Sequence, residues 1–256
     1  MHPTENLHAG TSGLVFRARC DDASSGDLAL KLSFDEPELE AEHQALGVAQ
    51  ELDIRPLARA YRYRRGAMAT FWISGRTADP EISPGDLVAT LDRIHIDVPE
   101  TAGLRLLGPH VRRHLDAARG QLSRAGACGV DEPLLERAEH LAVALASTGH
   151  RSYLHGDVHP TNVVTTGTGL VLLDPKGLVG DPAYDAAVWS LKADKLMPRR
   201  AWIDLLGADY GRDRVAGWAA IVGACHAVSY AAHGKRLDRV RAYAEIAREG
   251  LAAVGA

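Results

Sequence analysis

Residues 153–164 read YLHGDVHPTNVV and set His155, Asp157, His159 and Asn162 between two apolar runs, interrupted by Gly156 and Pro160. Polar residues packed so closely between apolar segments form either a wet turn or a site. Taken singly, a loop His, Asp or Asn is in most cases a turn residue that hydrogen-bonds nearby backbone. The residues that follow, VVTTGTGLVLLD, change that balance. They predict an apolar strand at 163–165, a turn at 166–169 and a second strand at 170–173, which together make a hairpin. A hairpin brings the residue just before its first strand beside the residue just after its second, so Asn162 and Asp174 converge at about cross-strand distance. A carboxylate with an amide oxygen is a hard-ligand pair suited to magnesium, which keeps waters and takes further ligands from phosphate oxygens. Asp157, five residues before Asn162, is expected on the loop that lines the same mouth.

The elements that must position these groups fall into two regions. Up to about residue 80 the chain reads as strands: AGTSGLVFRAR and DLALKLS flank the turn CDDASSGD, and GAMATFWISG is a further apolar strand. In DLALKLS, Leu28, Leu30 and Leu32 share one face, and Ala29, Lys31 and Ser33 the other. The segment FDEPELEAEHQALGVAQEL predicts a helix with Asp35 as cap, Pro37 in the first turn and a stripe of Leu39, Leu46 and Ala49. On a 3.6-residue period Glu42 falls inside that stripe, so its carboxylate faces the interior and needs a cationic partner. Glu38 lies one turn earlier on nearly the same face and competes for that place, whereas Glu40 points away. Beyond residue 80 the pattern is helical: Ser83 and Pro84 open GDLVATLDRIH, and residues 133–147 carry Leu134, Leu135, Ala138, Leu141, Ala142 and Leu145 at helical spacing. The expectation is an α+β protein of two lobes, a small β-rich one over 1–75 and a larger helical one over 76–256, with a connector near 72–78 and no internal repeat.

LHGDVHPTN followed by LLDPKG resembles the catalytic and metal-binding segments of the aminoglycoside and hydroxyurea phosphotransferases, small-molecule kinases with a bilobal protein-kinase-like fold. Their pattern is H-G-D-x-x-x-x-N, a short hairpin and then an Asp, and His155, Gly156, Asp157, Asn162 and Asp174 match it in order and spacing. DPKG followed by GDPAYD resembles the streptomycin and hydroxyurea branch in particular. The resemblance implies an O-phosphotransferase dependent on ATP (or GTP) and Mg2+, with Asp157 as catalytic base and Asn162 and Asp174 as metal ligands. It also implies a strand lysine for the α and β phosphates, held by an acidic residue on the next helix. Lys31 and Glu42 match those roles, and EHQAL at 42–46 fits the family's E-A-x-A-L.

The same resemblance places Gly10 and Gly13, with Val15 behind them, in the glycine-rich flap, where the missing Cβ lets backbone N–H groups approach phosphate oxygens. Only nine residues precede Gly10, so a minimal first strand and a short flap are expected. Asp185 in DPAYDAAVW matches an Asp that braces the catalytic loop by accepting backbone N–H bonds; apart from the family it is a first-turn acidic residue favoured by the helix dipole. His155 is expected to hold the loop by hydrogen bonds, and His159 to line the mouth. Lys176 either touches a phosphate or is a surface lysine. DLVATLDRIHIDVP resembles the family's helix ending in Leu-His, here Ile94 and His95.

Composition narrows the partners. A net charge of -4 and a pI near 6.3 give no excess of positive charge to draw the chain to nucleic acid or an anionic membrane. The arginines of RRHLDAARGQLSR, at 112, 113, 119 and 124, are scattered by helical spacing and suit a solvated face. The apolar run at 215–232 owes its character to Ala and holds His226 and Ser229, so it reads as a buried helix. Cys20, Cys128 and Cys225 show no paired spacing and suit reduced thiols. With no basic and apolar leader pattern, the expectation is a cytoplasmic protein, a monomer or weak dimer, acting on a small hydroxylated substrate.

Two rivals can be weighed. A protein kinase needs a long activation segment, yet eleven positions separate Asp174 from Asp185, and HGD stands where such kinases carry HRD. A nucleotide-binding pseudokinase scaffold would commonly have lost one of the polar groups that are all present here. For the acceptor, a cationic aminoglycoside would want carboxylates, with Asp194, Asp204, Asp209 and Asp213 as candidates, while Trp202 and Trp218 either stack on a ligand or pack. Branch resemblance implies a streptomycin-type antibiotic; a nucleoside or peptide antibiotic of capuramycin or viomycin type, or a metabolic sugar, is the alternative.

Overall fold

The computed structural model describes residues 2–9, 13–19, 26–77, 79 and 81–254; Gly10 and Cys20 lie outside them. Strands β1 (His2–Ala9), β2 (Gly13–Arg19) and β3 (Asp27–Ser33) precede α1 (Glu36–Glu51), β4 (Ala60–Arg64), β5 (Ala67–Phe71) and β6 (Arg76–Thr77). Then come α2 (Pro84–Ile94), β7 (Arg105–Leu106), α3 (Leu107–Ala125), α4 (Glu132–Ala146), β8 (Ser152–Leu154), β9 (Val163–Thr166), β10 (Gly169–Leu172), β11 (Leu178–Gly180) and α5 (Ala183–Lys192). The last helices are α6 (Arg199–Tyr210), α7 (Arg212–Ala232) and α8 (Leu237–Ala253).

The architecture is α+β and divides into two compact units. The strand-rich unit comprises Met1–Ile96, Thr101–Leu104 and Pro160–Gly177; the helical unit comprises Asp97–Glu100, Arg105–His159 and Leu178–Ala256. The border therefore does not fall at residue 75. Long-range pairing draws α2 and the hairpin into the first unit: β6 pairs with β9, and Pro56 O accepts the Leu172 N–H at 2.7 Å. The stretch expected as a bare connector carries β6 itself.

In the strand-rich unit five antiparallel strands run in the order β1-β2-β3-β5-β4. β1 occupies eight residues, so the first strand is not minimal. Gly13 opens β2 opposite Ser33, where a Cβ would meet Leu32 O at 2.1 Å, so this position has a packing reason to be Gly. β4 (AYRYR) gave no apolar signal in the sequence because it is an edge strand with Arg62 and Arg64 exposed. Helix α1 is capped by Asp35, which accepts the Glu38 N–H at 3.2 Å, and buries Leu39 and Leu46 against Ala58 and Met68. The alternation of β3 fades at its end: Leu28 is fully buried, whereas Leu32 is exposed.

The helical unit holds a short sheet, β7-β11-β8, and five helices packed around α7. Among the described residues α7 is the one helix long and apolar enough to cross a membrane, and 67% of its apolar window is buried within the protein. Ala-rich and flanked by α3, α4, α5, α6 and α8, it is the core helix of this unit. Trp189, Trp202 and Trp218 are fully buried, and the first two meet edge to face at 5.7 Å. Trp202 and Trp218 are thus packing residues, which settles the alternative left open for them. Cys128 and Cys225 are buried free thiols, and burial pushes Cys225 up to about 12.

Candidate active site

Two clusters of functional groups emerge, one in each unit. In the strand-rich unit β3 is the third strand of five, and Lys31 stands between Val15 on β2 and Met68 on β5. Its Nζ lies 2.6 Å from Glu42 Oε2 and 3.1 Å from Asp174 Oδ2. Glu42 is buried in the α1 stripe beside Leu39 and Leu46, as the helical period requires. Glu38 is paired elsewhere, with Lys176 at 3.2 Å, and Glu40 is exposed. That bond gives Lys176 an acidic partner on α1.

One cation shared by two carboxylates leaves this cluster short of positive charge. Burial pushes the Glu42 carboxyl up to about 8, with Asp174 adding to the rise and Lys31 offsetting only part of it. Burial works against the Lys31 ammonium, but the Glu42 and Asp174 carboxylates outweigh it and raise its pKa.

The β9–β10 hairpin delivers the remaining groups. Its register, Val163 opposite Leu172, continues one step further, because Asn162 O accepts the Leu173 N–H at 2.8 Å. Asn162 therefore stands one residue away from facing Asp174, at the end of the turn Pro160–Asn162. Asp174 adopts a left-handed backbone, φ 56°, which costs a side chain about 1 kcal/mol. Among the described residues no three His, Cys, Asp or Glu side chains form a metal-binding group. Asn162 and Asp174 offer one amide oxygen and one carboxylate, a pair that would suit a hard divalent cation drawing its other ligands from phosphate and water.

In the helical unit β8 leads into the loop 155–159. Gly156 has φ 81°, a backbone that L side chains rarely adopt. Asp185, in the first turn of α5 and fully buried, accepts the His155 N–H through Oδ2 and the Gly156 N–H through Oδ1, each at 2.8 Å. His155, also fully buried, accepts the Asp157 N–H on Nδ1 at 3.2 Å. His159 Nε2 is 3.9 Å from Asp157 Oδ2, beyond hydrogen-bonding range.

Sequence reasoning missed Lys192, in the last turn of α5, whose Nζ donates to Oδ1 of Asp157. A signal existed: Lys192 lies seven residues, two helical turns, beyond Asp185 and shares its face. Burial pulls the Asp157 carboxyl up, but the Lys192 ammonium, aided by His159 and His155, outweighs it and holds the carboxyl below its ordinary range.

The acidic residues proposed for the acceptor do not gather. Asp194 pairs with Arg199 at 2.6 Å and Asp204 with Arg212 at 2.8 Å, while Asp209 and Asp213 are exposed at the α6–α7 corner. Arg119 of α3 is held by Glu132 at 2.8 Å and Glu139 at 2.6 Å on α4, so the centre of the arginine-rich segment is engaged inside the unit.

The folds of known proteins match this one closely. A choline kinase, LicA from Streptococcus pneumoniae, superimposes with a TM-score of 0.66 at 16% identity over 97% of this chain and 92% of its own; LicA is also solved in complex with AMP. A thermostable mutant of aminoglycoside phosphotransferase APH(4)-Ia gives 0.66 at 11% identity, covering 97% and 93%. Macrolide 2'-phosphotransferase MphH from Brachybacterium faecium gives 0.58 at 16%, covering 94% and 90%. No curated protein matches the sequence. These likenesses show the kinase-like α+β fold. The sequence model of the phosphotransferase enzyme family matches residues 4–221, spanning Lys31, Glu42, Asp157, Asn162, Asp174 and Asp185, and on that match the chain belongs to the phosphotransferase enzyme family.

Proposed function

We propose that the protein is an ATP- and Mg2+-dependent O-phosphotransferase that acts on a hydroxyl of a small molecule. The observation that carries this reading is the Lys31–Glu42–Asp174 cluster, a strand lysine held between two carboxylates. Lys31 binds the α and β phosphates, Glu42 fixes the lysine, and Asn162 and Asp174 would hold the magnesium ion, which supplies neutralising charge to the phosphates. Asp157 receives the proton of the acceptor alcohol as its oxygen bonds to the γ-phosphorus and the bond to the β-phosphate oxygen breaks, releasing ADP. Positioning and electrostatics account for most of the acceleration. The AMP complex of LicA supports an adenine nucleotide. The acidic pI supports a small-molecule partner over nucleic acid or a membrane surface, and the two buried thiols support a reducing cytoplasm.

For the acceptor, the DPKG and GDPAYD motifs support a streptomycin-type aminoglycoside, acted on to give resistance. A second reading is favoured by charge. Asp194 and Asp204 are engaged by arginines, the cation beside Asp157 is Lys192, and residues 183–253 carry eleven Lys and Arg against eight Asp and Glu. Such an environment suits an alcohol without clustered positive charge, a metabolite or a less basic antibiotic. The test is incubation with ATP and Mg2+ against matched panels of aminoglycosides, nucleoside and peptide antibiotics, sugars and amino alcohols, followed by mass spectrometry. Gain of one phosphoryl group by any member establishes the activity, and the panel it comes from decides the class. Nucleotide binding without transfer to any acceptor would replace the enzyme with a scaffold.

A further inference from the structure

Helix α5 touches the loop 155–159 at both of its ends. In its first turn Asp185 takes the backbone N–H groups of His155 and Gly156; in its last turn Lys192 donates to the Asp157 side chain. The helix therefore fixes both the loop and the carboxylate that the loop carries. A lysine at a half-buried position ordinarily extends its ammonium to water. Here the ammonium turns instead onto one carboxylate, with side chains 26% and 28% exposed. We propose that Lys192 is a positioning residue for phosphoryl transfer, holding the Asp157 carboxylate in the orientation and charge state needed to take the acceptor's proton. The proposal rests on the reading of Asp157 as the catalytic base.

Several groups bear on Asp157. His155 and His159 belong to its own loop and favour the carboxylate; Tyr184 of α5 is neutral and cannot. His226 of α7 is held neutral by burial and by the Lys192 charge, with His114 of α3 adding to that effect. Lys192 is thus the permanent cation among them. Without it, burial would act on Asp157 against the two histidines alone, and the carboxyl would move upward. Protonation of the base then sets in at a higher pH, so the acid limb of the pH–rate profile moves upward with it.

The experiment compares the full-length protein with Lys192→Met and Lys192→Arg. Carbon-13 NMR of the Asp157 carboxyl follows its titration in the free protein, needing no acceptor. Phosphotransfer is measured as kcat/KM against pH, with nucleotide affinity and thermal midpoint alongside. In Lys192→Met the Asp157 titration is expected to move up by about one unit or more, equivalent to about tenfold in protonation. The acid limb of kcat/KM should move with it, while kcat at neutral pH falls by about tenfold or more because the carboxylate is no longer held in orientation, and nucleotide affinity stays within about twofold. Lys192→Arg should restore the titration and most of the rate. An unchanged Asp157 titration in Lys192→Met overturns the proposal, whatever happens to activity. A moved titration with an unmoved pH–rate profile also overturns it, since the pair would then be structural. Absence of phosphotransfer by the unsubstituted protein with every acceptor instead sinks the functional reading, and with it the role given to Lys192.

Discussion

Lys31 on β3 and Glu42 on α1 form an ion pair of 2.6 Å, and Asp174 reaches the same ammonium at 3.1 Å. Three chain segments thereby meet at one cation. Replacing the Glu42 carboxyl, which accepts from Lys31 at 2.6 Å, should loosen Lys31 from its place on the strand. Glu42→Gln is expected to weaken nucleotide binding by about tenfold, read by fluorescent-nucleotide titration. Glu42→Ala, which leaves a cavity and a partly buried ammonium, should also destabilise the protein by about 3 kcal/mol. Unaltered affinity in both variants would remove the cluster from the nucleotide site.

Asp157 and Asp174 should separate under substitution. Asp157→Asn is expected to lower phosphotransfer by about a thousandfold while leaving nucleotide affinity intact, as removal of a general base does. Asp174→Ala should lose magnesium-nucleotide affinity as well as turnover. Equal loss of both properties in both variants, measured by calorimetry and steady-state kinetics, would show that the division of roles is wrong.

Asp185 spends both carboxylate oxygens on backbone N–H groups in a fully buried place. Asp185→Ala leaves two buried donors unsatisfied, at about 1–3 kcal/mol each. A fall in urea midpoint together with loss of turnover is expected, because the loop bearing Asp157 loses its brace. Stability unchanged in Asp185→Ala would refute it.

His226 should make stability depend on pH in the acid range. Its Nδ1 is enclosed without a hydrogen-bond partner, and burial, followed by the Lys192 charge, lowers the pKa from 6.5 to about 3. The unfolded chain binds this proton more readily than the folded one. The associated stability is therefore complete above about pH 6.5 and is lost as pH falls from there toward 3, at up to about 1.4 kcal/mol per unit. Urea midpoints between pH 7 and pH 5 should fall less steeply in His226→Phe than in the parent protein; parallel slopes would exclude His226 as the source.

Much of this fold is written in local chemistry. The caps Asp35, Ser83 and Asp131 each accept an N–H three residues on, and the hairpin at 163–172 follows from two apolar runs around Thr-Gly-Thr-Gly. Glu42 was legible as an interior carboxylate because helical period alone carries it to the buried face, and the H-G-D-x-x-x-x-N spacing marks the loop and metal candidates without any knowledge of packing. What distant packing imposed was illegible. The hairpin joins the strand-rich unit through β6 and Pro56, the edge strand β4 hides behind its arginines, and Lys192 finds Asp157 across 35 residues. Of the carboxylates expected to await a cationic acceptor, Asp194 meets Arg199 and Asp204 meets Arg212. Period and spacing act over one or two turns of chain, whereas the partner of a charge is chosen by whichever opposite charge the finished fold brings within about 4 Å.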